Sequence, residues 1–437
     1  MRDLFLFSAI ISLLPLIFVR PQIGILAWTW FSIMNPHREV FGWMYSFPSL
    51  DIIAGATLLS CLFNNDQMRK VKFNPLLGLL LTFYLWTCLT TAFAVDFQLS
   101  LTDYMEFTKT MLLVLLVLLF MNNKFWTYSF ALIFVIGIGA TGVKGGIFTA
   151  LTGGSYRVWG PLDSGWEDNN NVSLAMLMVI PVMLSLRSWF TNKWIRLGIL
   201  GAAGLCFLTL LGTQSRGGFV GLVGMSGFYF WRSKNKILTA SVLVIFLGVG
   251  FIFMPQSWHD RMRTIQNYEE DGSASTRLIQ WDYAIKIANE RPLIGNGFDA
   301  FYHQPYYMKY LYGIDLNRAV HSVYFQVLGE HGYIGIILFL LIGFTAVGVA
   351  NKNAKRSRGD PDLKWEHSLI YALQFSIVGF AFNGLTINVA YLDLYYFLLC
   401  LTALVSSQIN TAITEKEVIA APSEEENKAG RVPDFIR

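Results

Sequence analysis

Charge is what this sequence has least of. Only 14% of its 437 residues are Asp, Glu, Lys or Arg, against about 25% in soluble domains, which excludes a water-soluble globular protein. The formal net charge of +4 is too small to argue for a nucleic-acid partner. Cysteine is equally sparse. Cys61, Cys88, Cys206 and Cys400 all sit inside apolar runs with no paired spacing, which gives no disulfide framework and no metal site. His37, His259, His303, His321, His331 and His367 lack zinc-type spacing. There is no Walker loop, no Gly-x-Ser-x-Gly elbow, no internal repeat and no low-complexity segment. No cofactor and no metal is expected.

What the chain has in abundance is apolar sequence: 54% hydrophobic residues and a mean hydropathy of +0.46. Repeated apolar runs of about 18 or more residues predict an all-α polytopic integral membrane protein. The first stretch, Leu4 to Met34, is interrupted by Pro15 and Arg20-Pro21 and reads as one broken helix. Further spans fall at about 49–63, 75–94, 104–121, 125–151, 172–190, 196–213, 217–231, 237–254, 332–350, 366–386 and 389–409. Basic clusters at 69–72, Lys193/Arg196, Arg232/Lys234/Lys236 and Lys352/Lys355/Arg356/Arg358 all fit one side, the cytoplasmic one. That gives about twelve crossings, a cytoplasmic N-terminus and a single transmembrane domain over 1–412. The polar residues 413–437 read as a disordered cytoplasmic tail.

One large polar loop, 255–331, then faces outward. Connections this long are uncommon unless functional or disordered, and Trp258, Trp281, Tyr283, Phe298 and Phe301 argue against disorder. Its apolar re-entry, His321 to Ala350, is too long for one upright span. Gly332-Tyr333-Ile334-Gly335 offers a break, so a short interfacial helix from His321 to about His331 should precede a separate span.

Ionisable residues in membrane segments are costly and mark sites by default. Asp51, Glu106, Lys109, Lys144, Asp393, Arg216, Arg157 and His321 all fall toward the outer face. A carrier would place such groups nearer the midplane. Glu106 and Lys109, three apart, should pair with each other. Thr213-Gln214-Ser215-Arg216-Gly217-Gly218 puts an arginine at a helix end beside glycines that admit a ligand. Gly153-Gly154-Ser155-Tyr156-Arg157-Val158-Trp159-Gly160-Pro161, followed by Glu167-Asp168-Asn169-Asn170-Asn171, is a second motif. Glycines beside arginines suit phosphate binding. Arg157, Arg277, Arg261, Arg263 and Lys144 are therefore candidate anion-binding groups, and Trp281 a surface on which a sugar could stack. His321 has the side chain best suited to a general base near neutral pH. Glu330 lies nine positions on, about 180° around an ideal helix, and reads as structural, holding the break at Gly332.

The pattern resembles the O-antigen ligase family, which includes lipopolysaccharide O-antigen ligases, O-antigen polymerases and bacterial O-oligosaccharyltransferases. The likeness is most specific in Ser215-Arg216-Gly217, the long loop, and His321…Glu330-x-Gly332. The opening Met1-Arg2-Asp3…Arg20-Pro21-Gln22-Ile23-Gly24 and Met34-Asn35-Pro36-His37-Arg38 look like the subgroup of O-glycosylation ligases from exosortase-linked clusters. The resemblance implies a multi-pass protein of the bacterial inner membrane with a GT-C-like architecture and a periplasmic active site. It implies a donor glycan on undecaprenyl diphosphate, no ATP or metal, and an acceptor hydroxyl on lipid A-core, on another glycan repeat or on a protein. His321 and Arg216 would be the catalytic pair. The competing reading is a non-enzymatic transporter of lipid-linked sugars.

Overall fold

A computed structural model of the chain describes residues 1–69, 74–121, 123–253, 256, 259, 272–311 and 319–420. Apolar sequence of this kind makes helices, because backbone groups in hydrocarbon must be satisfied within the segment. The helix boundaries come from capping residues. Asn74, Asp96, Asn123, Asp168, Asn192 and Ser215 each accept a backbone N–H from the first turn of the helix that follows, as polar N-caps do.

In chain order the helices are α1 (Arg2–Val19), α2 (Pro21–Met34), α3 (Ser49–Phe63), α4 (Pro75–Ala92), α5 (Phe97–Phe120), α6 (Lys124–Thr152), α7 (Asn169–Ser185), α8 (Lys193–Gly212), α9 (Arg216–Arg232) and α10 (Lys236–Phe253). Then come α11 (Gly272–Glu290), α12 (Gln304–Tyr310), α13 (Val323–Arg356), α14 (Lys364–Asn383) and α15 (Asp393–Ala420). No strand occurs among the described residues. Among the described residues seven helices, α1, α4, α6, α7, α8, α13 and α15, are long and apolar enough to cross a membrane.

The first apolar stretch is a hairpin of two helices, which corrects the single broken crossing read from the sequence. Arg20 is extended (φ −139°, ψ 105°), and Pro21 starts α2 where a missing N–H costs nothing. The backbone N–H of Met44 donates to Asp3 Oδ1 (3.1 Å), so the N-terminus lies beside the loop that follows α2. At the other end Ser60 Oγ donates to the Ile17 carbonyl (2.5 Å) and Asn64 Nδ2 to that of Phe18 (3.1 Å). The chain therefore turns back on itself between α1 and α2, and its start shares an end with residues 35–48.

Polar contacts sort the helix ends into two groups. At one, Arg232 of α9 donates to Asn351 (2.8 Å) and Gln374 (2.9 Å), and Lys124 pairs with Glu366 (2.7 Å). At the other, Asn35 donates to the Asp163 carbonyl (2.8 Å), Ser32 to Asp393 (2.6 Å) and Val323 N–H to the Gly384 carbonyl (2.8 Å). Lys109 and Glu106 pair at 2.6 Å, as their spacing requires.

The segment before α13 has a small core of its own. Tyr283, Ile287, Phe301, Leu311 and Val320 are buried together, and Tyr283 donates to the Phe301 carbonyl (3.0 Å). At the far end, α15 runs on to Ala420. Residues 413–420 are thus helical, where a disordered tail had been expected from 413. Lys416 explains part of this by bridging Asp360 (2.8 Å) and Asp362 (2.7 Å). Residues 421–437 lie outside the described ones.

Candidate active site

The N-terminus of α9 is built for close approach. Ser215 Oγ accepts the Gly218 N–H (3.0 Å) and donates to Asn170 Oδ1 (2.8 Å). Asn170 in turn donates to Asp168 Oδ1 through its backbone (2.8 Å) and side chain (2.9 Å). A Cβ on Gly217 would stand 2.1 Å from Thr386 Oγ1, and one on Gly218 2.7 Å from Ser173 Cβ. Glycine is required here by space. The start of α9 is clasped between α7 and the chain leaving α14, with half-buried Arg216 as its first residue. Unpaired N–H groups at a helix start favour an anion, and Arg216 adds a fork that matches phosphate oxygens.

His321 lies against the same clasp. Val323, two residues on, donates its N–H to Gly384, and Gly384 is two residues from Thr386. His321 itself has φ +45°, a left-handed conformation uncommon for a residue with a side chain and one that concentrates at functional sites. It is half-buried. Loss of hydration holds its pKa below the ordinary 6.5, the Arg277 guanidinium pushes the same way, and the Asp168 carboxylate opposes both. The imidazole is therefore neutral at pH 7 and able to take a proton. The α13 helix starts at Val323 rather than at His321, so helical geometry does not fix the direction of His321 relative to Glu330.

Trp281 occupies the next turn of α11 after Arg277. Its indole N–H donates to the Val320 carbonyl (3.0 Å), and its ring stacks on Phe325 with centroids 4.9 Å apart. Here Trp281 is a strut that sets α11 against residues 320–325.

Glu330 and Gly332 hold the loop to the membrane helices. Asn296 and Gly297 both donate N–H groups to the Glu330 carbonyl (2.8 Å each). The Glu330 side chain, only 2% exposed, accepts from Asp299 N–H (3.3 Å) and from the Tyr391 hydroxyl. Gly332 (φ 68°, ψ −170°) breaks α13 as its sequence suggests, and its N–H neighbour Tyr333 donates to the Pro292 carbonyl (2.9 Å). A Cβ on Gly332 would meet that carbonyl at 2.6 Å.

The loop carrying Arg157 is hydrogen-bonded to the turn before α9, Val158 N–H to the Gly212 carbonyl (3.1 Å) and Gln214 Nε2 to the Gly154 carbonyl (2.8 Å). Lys144 and Arg157 line a cavity of about 230 Å³ with Glu39, Phe148, Trp159 and Pro161. Arg261 and Arg263 lie outside the described residues. Alongside α9 an apolar slot of about 690 Å³, lined by Leu177, Leu184, Phe207, Leu222, Tyr229 and Phe375 among others, runs from near Leu210 toward Ser368. Its near end touches the clasp, since Leu210 packs where a Gly218 Cβ would stand.

The sequence reading passed over Asn170, Ser173, Asn383 and Thr386 as site residues. Asn170 and its capping neighbour Asp168 sat in a polar run whose signal was legible. Asn383 and Thr386 close an ordinary helix end, and only the tertiary contact with Gly217 reveals them.

Residues 201–340 match the family model described as O-antigen ligase. Residues 1–191 match a second model, described as a family of unknown function (DUF5935). The search of curated proteins found no match.

Proposed function

We propose that this chain, which belongs to the O-antigen ligase family through residues 201–340, transfers a glycan from undecaprenyl diphosphate to an acceptor hydroxyl on lipid A-core. The observation that carries this reading is the clasped α9 start with Arg216, set against a neutral His321 that feels both Arg277 and Asp168. The basic helix ends would face the cytoplasm, so that this site opens to the periplasmic side of the inner membrane. The diphosphate would lie at Arg216 and the α9 N–H groups, with Arg277 as a further cation, and the apolar slot along α9 would take the start of the polyprenyl chain.

In the reaction the acceptor oxygen attacks the anomeric carbon as the carbon–oxygen bond to the diphosphate breaks. The acceptor proton passes to the imidazole of His321, and the bonding pair leaves on the diphosphate. Direct displacement inverts the anomeric centre. Preorganised cations stabilise the charge that develops on the leaving group, and a base within reach of the hydroxyl contributes about 10²–10⁴-fold. An O-antigen polymerase or a protein O-oligosaccharyltransferase would use the same donor and differ only in its acceptor.

The test measures donor affinity beside turnover in purified variants. His321→Ala should lose most transfer and keep donor affinity, because a base acts on the acceptor. Arg216→Ala should lose both. Normal turnover in His321→Ala, or unchanged donor affinity in Arg216→Ala, would remove the corresponding role.

A further inference from the structure

The cavity at Lys144 and Arg157 takes no part in the chemistry above, yet it is built. It holds about 230 Å³ and, through Glu39 and Lys144, adjoins a wider recess of about 650 Å³ lined also by Arg2 and Trp30. The side chains of Lys144 and Arg157 border the cavity, and Arg2 the recess beside it, against one carboxylate, Glu39. Neither Lys144 nor Arg157 has a hydrogen-bond or ion-pair partner among the described residues, and both are exposed. Nearby Arg38 shows the contrast. It forms an ion pair with Asp163 at 3.1 Å and lies over the Tyr45 ring at 4.7 Å.

The wall carrying Arg157 and Trp159 is rigid. Val158 N–H donates to the Gly212 carbonyl (3.1 Å) and Gly160 N–H to that of Glu167 (2.7 Å). Gly160 packs so closely that a Cβ there would stand 2.2 Å from the Trp166 carbonyl, while the Trp166 indole donates to Ile33 O (3.0 Å). Two cations lining one cavity, one of them on a pinned wall, suit a doubly charged phosphate monoester better than a single carboxylate. The exposed indole of Trp159 beside them offers an apolar face to a sugar ring. Every lining residue belongs to positions 1–161, inside the match of unknown function and outside the O-antigen ligase match.

We propose that this groove is a second anion site that binds a phosphorylated sugar of the acceptor while the α9 site holds the donor. It rests on the transferase reading for its purpose, but its ligand can be tested without turnover. The full chain, in nanodiscs of phosphatidylcholine, is treated with an acetylating reagent and modification of Lys144 is followed by mass spectrometry. Glucose 6-phosphate should slow acetylation of Lys144, but not of exposed Lys193, at concentrations where glucose does nothing. Arg157→Ala should weaken that protection about tenfold, the loss of one charge-assisted contact, and Arg157→Lys should keep part of it. Arg216→Ala should leave it intact. Equal effects of glucose and glucose 6-phosphate would overturn the proposal. So would protection that appears only when phosphatidylglycerol is added to the disc, which would give the groove to a membrane headgroup. Failure of His321→Ala to lose transfer would sink the proposed chemistry and leave Lys144 protection standing, so the two failures can be told apart.

Discussion

Residues 1–191 and residues 201–340 use their polar side chains in different ways. In the first region most of them fasten backbone: Asn35 to Asp163, Trp166 to Ile33, Asp3 to Met44. In the second several fasten backbone as well, Trp281 to Val320 and Tyr283 to Phe301, but His321 sits where the charges of both Arg277 and Asp168 act on it. The division is not clean. Asp168 and Asn170, which cap α7 and steady Ser215, come from the first region, and Asp168 acts on His321 across the boundary. The region of unknown function therefore supplies part of the frame of the candidate site, and its Lys144 and Arg157 line a cavity of their own.

The sharpest way to break that comparison is to crowd the clasp. Gly217→Ala should lower transfer about 10²-fold, since a shift of about 1 Å in a positioned group is enough for that. The double variant Gly217→Ala/Thr386→Ala should recover much of it, because the new Cβ would then have room. A fall in the single variant with no recovery in the double would mean that the α9 start is disturbed in some other way. Arg216→Lys should restore less than tenfold of what Arg216→Ala loses, because one ammonium does not reproduce a two-pronged guanidinium. Full recovery of transfer rate would show that only charge matters.

Gly332→Ala tests the joint between loop and membrane helices. The conformation at Gly332 is open essentially to glycine alone, and the added carbon meets the Pro292 carbonyl. Unfolding free energy should drop by roughly 1–3 kcal/mol, read from thermal melts in one detergent. An unchanged melt would mean the kink is not fixed by that contact.

The smallest effect concerns pH. Burial first, and then the neighbouring Asp103 carboxyl, push Asp299 up to about 7. An acid raised on folding binds its proton more tightly in the folded state, so its stabilising contribution is complete below the unfolded carboxylate range and is lost as pH rises through about 7. Docking of residues 291–303 should loosen over that window, as seen by hydrogen exchange at Asn296 and Gly297. Asp299→Asn should flatten the dependence. A loop that tightens as pH rises would contradict the assignment.

Much of this was legible in advance. Helix positions followed from apolar runs, and the break at Gly332 from a glycine inside a stretch too long to span. Arg216 and His321 stood out because charge is rare in such sequence. Other features depend on tertiary contacts. The α1–α2 hairpin was hidden because Arg20-Pro21 fits a kink as well as a turn, and Asp3 to Met44 decides between them. Nor did the sequence show that the Trp281 indole N–H bonds the Val320 carbonyl while one ring face stacks on Phe325. That Lys144, Arg157 and Glu39 line one cavity left no mark in one dimension, because the three sit on different elements.

The pH dependence of kcat/KM for transfer tests the central claim most directly, because it reports the free enzyme's essential base. With His321 as that base, activity should rise with pH along a limb whose midpoint lies below 6.5, since burial and Arg277 both depress the imidazole. The residual activity of His321→Ala should lack that limb. A midpoint above 6.5, or a limb that survives unchanged in His321→Ala, would contradict the account.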